Sequence, residues 1–280
     1  EPFDALLRGL IGLHLGKGGG KGSIIRLIDA DHDGISEAHT VYAVIDNPRG
    51  IVPVGDKLYV LHPKWGQGKD FDGMFLSVLT DANGDGKADK ATVWADGLNV
   101  ALSFEFGDGG VYLSEEPHMT FLKDTDGDDK ADVREVLTTG WGTGDTHAGP
   151  SNLRYGFDNW IWGTVGYSAF NGTVGGEQKR FGSGVFRMKP DGSELEFLHQ
   201  FNNNTWGVGF NEAGDVFGST ANNNPSFFGG IPNSIYGGQR RMSAKMIATS
   251  RKFYPITPNI RQVDAFNAYT PGCGHAFATS

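Results

Sequence analysis

The sequence predicts an all-β protein, specifically a β-propeller of four-stranded blades. Three observations support this: an acidic turn that occurs three times, a strand motif that recurs at intervals of about forty to fifty residues, and a composition rich in turn formers and aromatic residues. Of 280 residues, 43 are glycine and 12% are aromatic, which suits tight turns and sheet-on-sheet packing. A blade cannot bury both of its faces alone, so neighbouring blades stack around an axis.

The acidic turns each place side-chain oxygens at positions 1, 3 and 5 of a loop, with a further carboxylate at position 9. They comprise Asp29, Asp31, Asp33 and Glu37; Asp81, Asn83, Asp85 and Asp89; and Asp124, Asp126, Asp128 and Asp132. Such loops suit calcium, which takes about six to eight oxygen ligands. The flanking runs are strand-like, unlike the helices of an EF-hand, so the sequence predicts calcium loops that close β-hairpins. A metal-free Asp/Gly turn remains the alternative.

The turns also mark a repeat. Residues 87–98 after the second turn parallel residues 130–141 after the third. Blades are expected at about 24–62, 73–115, 118–166 and 184–220, with a partial blade at 240–280. In the N-terminal segment 1–23, residues 3–15 are expected to form a short helix or a first strand, and residues 16–22 a flexible turn. This blade count favours a piece of a longer protein, with a small propeller as the alternative.

Charge and cysteine content narrow the function. The net charge is −9 and the pI is about 5.3, which argues against nucleic-acid binding because that needs a basic face. Cys273 is the single cysteine, so no internal disulfide forms, and a c-type haem, which needs two cysteines, is not expected in this chain. The chain begins without Met and without a visible signal peptide, which favours a processed or partial N-terminus.

A polar, glycine-rich connection at 141–156 is the first candidate site. It joins an outer strand to the next inner strand, so it is expected at one mouth of the propeller channel. His147 lies outside any hydrophobic run, and Asp145 is close enough in sequence to orient it. Histidine is the side chain best suited to take a proton near neutral pH. The alternative is a histidine that bonds a loop carbonyl.

A second polar cluster lies one blade later, in two asparagine-rich loops. The candidate ligand-binding residues there are Asn203, Asn204, Trp206, Asn222 and Asn224. Their amide groups are suited to a cation or a polar ligand, and the Trp206 ring to a flat ring or a sugar. Asparagine also tolerates left-handed backbone in turns, and such a tryptophan commonly belongs to the blade core.

Four segments carry a specific resemblance. Residues 124–137, 146–166, 217–225 and 251–257 resemble the propeller of the large membrane-bound dehydrogenases of planctomycetes and verrucomicrobia. The resemblance runs from about residue 73 to the end. It implies an exported protein, periplasmic or extracellular, with membrane association as a further option. Members of that family often carry a c-type cytochrome domain, which implies a c-type cytochrome as electron acceptor.

That family is similar to soluble quinoprotein glucose and sorbosone dehydrogenases, six-bladed propellers that hold pyrroloquinoline quinone and calcium. The resemblance implies that His147 takes a sugar hydroxyl proton while hydride moves to the quinone. It also places the loop from Asn222 to Pro225 where calcium receives backbone oxygens. Two positions depart from the pattern. Tyr167 stands where those enzymes have Asp, and Asn203 stands in place of an Arg that meets the quinone.

The first functional hypothesis is therefore an exported, calcium-binding oxidoreductase that acts on a sugar or related alcohol, with His147 as base and Asp145 as its orienting partner. The second is a non-catalytic propeller that binds a polysaccharide or a partner protein. The third is a structural subunit of a larger complex, in which the propeller is an interaction surface.

Overall fold

The computed structural model describes residues 21–31, 36–46, 48–65, 71–201, 203–222, 225–236, 247 and 274–276. Within these residues the chain forms nineteen strands and one short 3-10 helix, which confirms the predicted all-β class. Residues 1–20, Asp33, Asn224, Cys273 and almost all of the expected partial blade at 240–280 lie outside the described residues. None of the described residues belongs to a helix of the length and hydropathy needed to span a membrane.

The strands follow one another with short connections. The first ten are β1 (Lys21–Ile28), β2 (Ala38–Asp46), β3 (Gly50–Val54), β4 (Lys57–Trp65), β5 (Phe71–Thr80), β6 (Lys90–Leu98), β7 (Ala101–Gly107), β8 (Gly110–Glu115), β9 (His118–Lys123) and β10 (Val133–Thr139). The remaining ones are β11 (Pro150–Tyr155), β12 (Ile161–Val165), β13 (Phe170–Val174), β14 (Glu177–Phe181), β15 (Gly184–Met188), β16 (Leu195–Gln200), β17 (Thr205–Phe210), β18 (Val216–Thr220) and β19 (Phe227–Phe228). The 3-10 helix spans Asn233–Tyr236.

Four sheets are the blades of a β-propeller, as the sequence predicts. Three have four strands, in the orders β3-β4-β5-β6, β7-β8-β9-β10 and β11-β12-β15-β16, and one has the three strands β17-β18-β19. The pairs β1-β2 and β13-β14 form two further sheets. The burial of the strands agrees with this order. The central strand β8 is buried at every position, whereas the outer strand β10 is exposed at most of its positions. A central strand packs on both faces, and an outer strand does not.

The sheets divide the chain at different points from the expected blade bounds. They span about residues 50–98, 101–139, 150–200 and 205–228. The second and third acidic turns join the third and fourth strands of their own sheets, so each of these hairpins pairs with the strands before it and not with those after it. The first acidic turn joins β1 to β2. The extra hairpin β13-β14, which the sequence did not indicate, lies between β12 and β15 in the chain and forms a sheet of its own. A repeat gives the length of a blade but not the point at which it begins.

The chain divides into two compact units. The first comprises residues 1–101 and 122–134, and the second comprises residues 102–121 and 135–280. In the first unit, a core forms around Ile24, Tyr42, Leu58, Val60 and Leu79. In the second, Trp141 is 1% exposed and packs against the rings of Phe170 and Phe186. Its indole nitrogen donates to the Thr138 hydroxyl at 3.1 Å, so the buried polar atom is satisfied.

Candidate functional site

The loop from residue 145 to residue 149, in the second unit, is held in one shape by its own hydrogen bonds. The Asp145 carboxylate accepts the His147 amide at 2.9 Å, and the Asp145 carbonyl accepts the Ala148 amide at 3.0 Å. The Ala148 carbonyl in turn accepts the amides of Gly166 at 2.9 Å and Ser168 at 3.2 Å. The Ser168 hydroxyl donates to the Asp145 carbonyl at 2.8 Å. The loop is therefore fastened to the end of β12.

His147 is presented at the surface of this loop. Its side chain is 74% exposed, and its Nδ1 atom lies 3.8 Å from the Asp145 carboxylate and 3.4 Å from the Thr146 hydroxyl. The first distance is ion-pair range but too long for a hydrogen bond. The Asp145 carboxylate is thus a close neighbour of the imidazole ring. The carboxylate itself holds the backbone amide of His147 and not the imidazole ring.

Glu116 is a residue of this site that sequence reasoning missed. It follows β8 and is 1% exposed. Burial, followed by the negative charge of Asp145, raises the pKa of Glu116 from its ordinary 4.5 to about 7. A methyl group added at Gly149 would lie 2.0 Å from its Oε1 atom, so the carboxyl packs directly against the Gly149 backbone. The available signal was an acidic pair, Glu115 and Glu116, at the end of an apolar run.

Two of the predicted asparagines join the same site. The Tyr167 hydroxyl donates to Asn203 Oδ1 at 2.8 Å, and the Ala221 amide donates to the Asn204 carbonyl at 2.7 Å. Asn204 Oδ1 packs against Gly166, where an added methyl group would lie only 1.7 Å away. The structure therefore brings Asn203 and Asn204 to the segment that also fastens the His147 loop.

The other predicted ligand-binding residues are less closely connected to His147. Asn152 donates through its side-chain amide to the Trp206 carbonyl. Trp206 is half-buried. The Asn222 carbonyl accepts the Thr220 hydroxyl at 2.5 Å, which leaves Asn222 in a turn after β18.

The donor set around His147 does not by itself fit pyrroloquinoline quinone. That cofactor is a polycarboxylate, and carboxylates are held by cations or by several N–H donors. The segments 142–149, 166–169, 203–206 and 220–222 contain no Lys or Arg, and they bring Asp145 next to Glu116. Asn203 is already bonded to Tyr167. No reaction step is therefore assigned to a quinone held by these residues.

The acidic turns, all in the first unit, share one internal hydrogen-bond pattern. The first acid accepts the amides of positions 4 and 6: Gly84 and Gly86 bond to Asp81, and Gly127 and Asp129 bond to Asp124. The acid at position 9 accepts the amide of position 2: Ala30 bonds to Glu37, Ala82 to Asp89 and Thr125 to Asp132. The recurring ninth residue therefore closes each loop.

Two of these loops also match the donor chemistry of a hard cation. Carboxylate oxygens of Asp29, Asp31 and Glu37 lie within 4.8 Å of one another, and so do those of Asp124, Asp126 and Asp128. The middle loop offers the amide oxygen of Asn83 in place of one carboxylate. Oxygens at this spacing fit calcium, although the same side chains also order the loops through backbone amides.

Antiparallel blades of three or four strands, with polar loops at strand ends, define a β-propeller that carries a candidate acid–base site. The chain belongs to the family described as Domain of unknown function (DUF7133), whose sequence profile matches residues 63–280. No curated protein matches the sequence.

Two solved structures are similar to the chain. The PQQ-bound form of aldose sugar dehydrogenase from Streptomyces coelicolor superposes with a TM-score of 0.52 at 14% identity, over 93% of this chain and 77% of that one. A structural genomics protein of unknown function from Bacteroides thetaiotaomicron VPI-5482 gives a TM-score of 0.48 at 12% identity, over 85% of this chain and 56% of that one. At these identities the first likeness supports the propeller fold alone, and the second carries no argument.

Proposed function

We propose that this propeller is a dehydrogenase-type domain that oxidises a hydroxyl group of a sugar or related alcohol. The observation that carries the proposal is the fixed loop that presents His147 beside Asp145, above the buried Glu116. A binding surface alone has no need of three titratable groups so close together, whereas oxidation of an alcohol requires a base. The resemblance to membrane-bound dehydrogenases, and through them to quinoproteins, supports the same reaction class.

In this proposal the residues of the chain bind the sugar and remove its proton. Trp206 offers a half-buried ring for stacking, and Asn203 and Asn204 offer amide groups to sugar hydroxyls. The hydroxyl proton passes to an imidazole nitrogen of His147, which is exposed enough to release it to water. The oxidation also needs a hydride acceptor, which these residues do not hold, and an oxidant of the quinone class would supply that chemistry if bound. Because the loops around His147 lack a cation, the anchor for such an oxidant must come from a bound metal ion or from other residues.

We also propose that the three acidic loops bind calcium and that the protein is exported to the periplasm or beyond the cell. The spacing of oxygens in the first and third loops supports the metal. The family resemblance supports export and a c-type cytochrome as the next electron acceptor. The net charge of −9 gives no reason to propose a nucleic-acid partner.

A dye-reduction assay tests the dehydrogenase proposal. Purified protein is incubated with pyrroloquinoline quinone and calcium, and dye reduction is followed with a panel of sugars and alcohols. We expect turnover in the wild type and a loss of about a hundredfold or more in His147→Ala, because the general base is removed. His39→Ala, which removes an exposed imidazole in the first unit, is the matched control and should keep full turnover.

A non-catalytic, carbohydrate-binding propeller is the second candidate. One observation favours it. The site around His147 contains carboxyl and amide groups but no cation, which suits neutral hydroxyl groups better than an anionic cofactor. Calorimetry with the same sugars separates the two candidates. Sugar binding without dye reduction in any cofactor mixture would support the second candidate and overturn the first.

A further inference from the structure

We propose that Glu116 is a positioning residue of the His147 site: a carboxylic acid beneath the 145–149 loop whose protonation state sets how the site responds to pH. This inference rests on the proposed function for its catalytic reading. The contact between the buried carboxyl and the loop should affect ligand binding as well as turnover.

Glu116 lies directly beneath the 145–149 loop. Its carboxyl packs against the Gly149 backbone, so closely that an added methyl group would lie 2.0 Å from Oε1, 3.0 Å from Cδ and 3.2 Å from Cγ. Glycine at 149 is therefore required by the side chain below it. Because Ala148 is bonded to Gly166 and Ser168, the loop cannot simply lift away from the carboxyl.

The titratable side chains near Glu116 come from the 145–149 loop and from its neighbours along the chain. The 145–149 loop brings Asp145, whose negative charge adds to burial in raising the pKa of Glu116, and His147 lies on the same loop. Its neighbours along the chain are Glu115, which accepts the Thr120 hydroxyl at 2.8 Å, and His118 on β9. The charge of Asp145 is the one that raises the pKa of Glu116, and it belongs to the residue that holds the His147 amide.

The effect of Glu116 on the loop depends on whether its carboxyl group is protonated. With the proton on Glu116, Asp145 is the one negative charge of this pair, and its carboxylate holds the loop. Without that proton, the buried carboxylate of Glu116 is repelled by the partly exposed carboxylate of Asp145. We therefore expect the loop, and with it the placement of His147, to be disturbed as pH rises past about 7.

The first experiment compares pH profiles of kcat and KM in the wild type, Glu116→Gln and Glu115→Gln. The Glu116→Gln side chain keeps the shape of the protonated acid but cannot ionise. We expect kcat of the wild type to fall by about fivefold from pH 7 to pH 8 and kcat of Glu116→Gln to stay level over that range. Glu115→Gln, the adjacent buried acid, should fall like the wild type. An identical fall in Glu116→Gln would overturn the inference.

A second measurement needs neither turnover nor a folded variant. Carbon-13 NMR of wild-type protein labelled at glutamate carboxyls should show one carboxyl that ionises near pH 7, and sugar affinity measured by calorimetry should weaken over the same range. If this holds while no dye is reduced, the proposed dehydrogenase function fails and the inference stands. If every glutamate ionises near its ordinary value of 4.5, the inference fails, whatever the dye assay shows.

Discussion

The backbone amide of Ala131 donates a 2.7 Å hydrogen bond to the carbonyl of Trp94. Ala131 is the eighth residue of the third acidic loop, and Trp94 lies on β6, the last strand of the preceding sheet. The same bond recurs one repeat earlier, where Ala88 donates to the Tyr42 carbonyl at 2.8 Å. Each of these loops therefore fastens its hairpin to the outer strand of the sheet before it, which makes the loop part of the packing between sheets.

Replacing Asp124 by Ala should weaken that joint. The Asp124 carboxylate accepts two backbone amides of the third loop, from Gly127 at 2.7 Å and Asp129 at 3.0 Å. We expect the free energy of unfolding to drop by about 1–2 kcal/mol, as when a helix cap is removed. Urea denaturation measures this. Asp96→Ala, which removes an exposed carboxylate on β6, is the control and should change stability by less than about 0.5 kcal/mol.

Calcium should raise the midpoint of thermal unfolding of the wild type. A ligand that binds the folded chain alone stabilises it by about 2.7 kcal/mol per site at a hundred times its dissociation constant. Asp126→Asn tests the site sharply, because the amide oxygen can still accept the Asp128 amide while the charge is lost. We expect this variant to melt like the wild type without calcium and to gain less when calcium is added. A wild type that does not respond to calcium would contradict the proposed sites.

The sequence predicted the propeller because its evidence was local. An acidic hairpin loop can be recognised within nine residues. The acid at its ninth position, such as Asp132, closes the loop by accepting a hydrogen bond from the Thr125 amide. No short segment of the sequence shows where each blade starts. Equivalent strands of repeated blades share one pattern, so the hairpin at residues 81–89 could be joined to the strands before it or after it. Only the pairing of β5 with β4 decides.

The same distinction applies to the candidate site. His147 and Asp145 could be found from sequence because polar residues in a glycine-rich connection stand out. Glu116 could not, because its unusual state comes from burial under Gly149 and from the charge of Asp145, both distant in the chain. Its neighbour Glu115 is also buried but is satisfied by Thr120. Nothing in the order of residues tells these two acids apart.

The stability of the protein should depend on pH through Glu116. Its pKa is raised from 4.5 to about 7 on folding, so the folded chain holds this proton more tightly than the unfolded chain. The resulting stabilisation is complete below pH 4.5 and is lost as pH rises through about 7. We expect the wild type to lose up to about 3 kcal/mol over this range relative to Glu116→Gln, measured by urea denaturation. Parallel pH curves for the two proteins would contradict the assignment.

Introducing a cation at Asn203 should improve quinone binding. The loops around this position contain no Lys or Arg, and an anionic cofactor binds better beside a cation. We expect Asn203→Arg to bind pyrroloquinoline quinone at least about tenfold more tightly than the wild type, measured by absorbance titration. Asn203→Gln, which also interrupts the 2.8 Å bond from Tyr167 but adds no charge, is the control. Equal affinities for the two variants would show that charge is not what the site lacks.

Replacing Gly149 by Ala should destabilise the second unit, although the backbone at 149 does not require glycine. The added methyl group would lie 2.0 Å from Glu116 Oε1, and a buried side chain has little room to yield. We expect a cost of about 1–3 kcal/mol, measured by urea denaturation. Gly144→Ala is the matched control, because no atom lies within 4 Å of its methyl group. In a Glu116→Ala background the cost should largely disappear, and independent costs would mean that the two residues are not in contact.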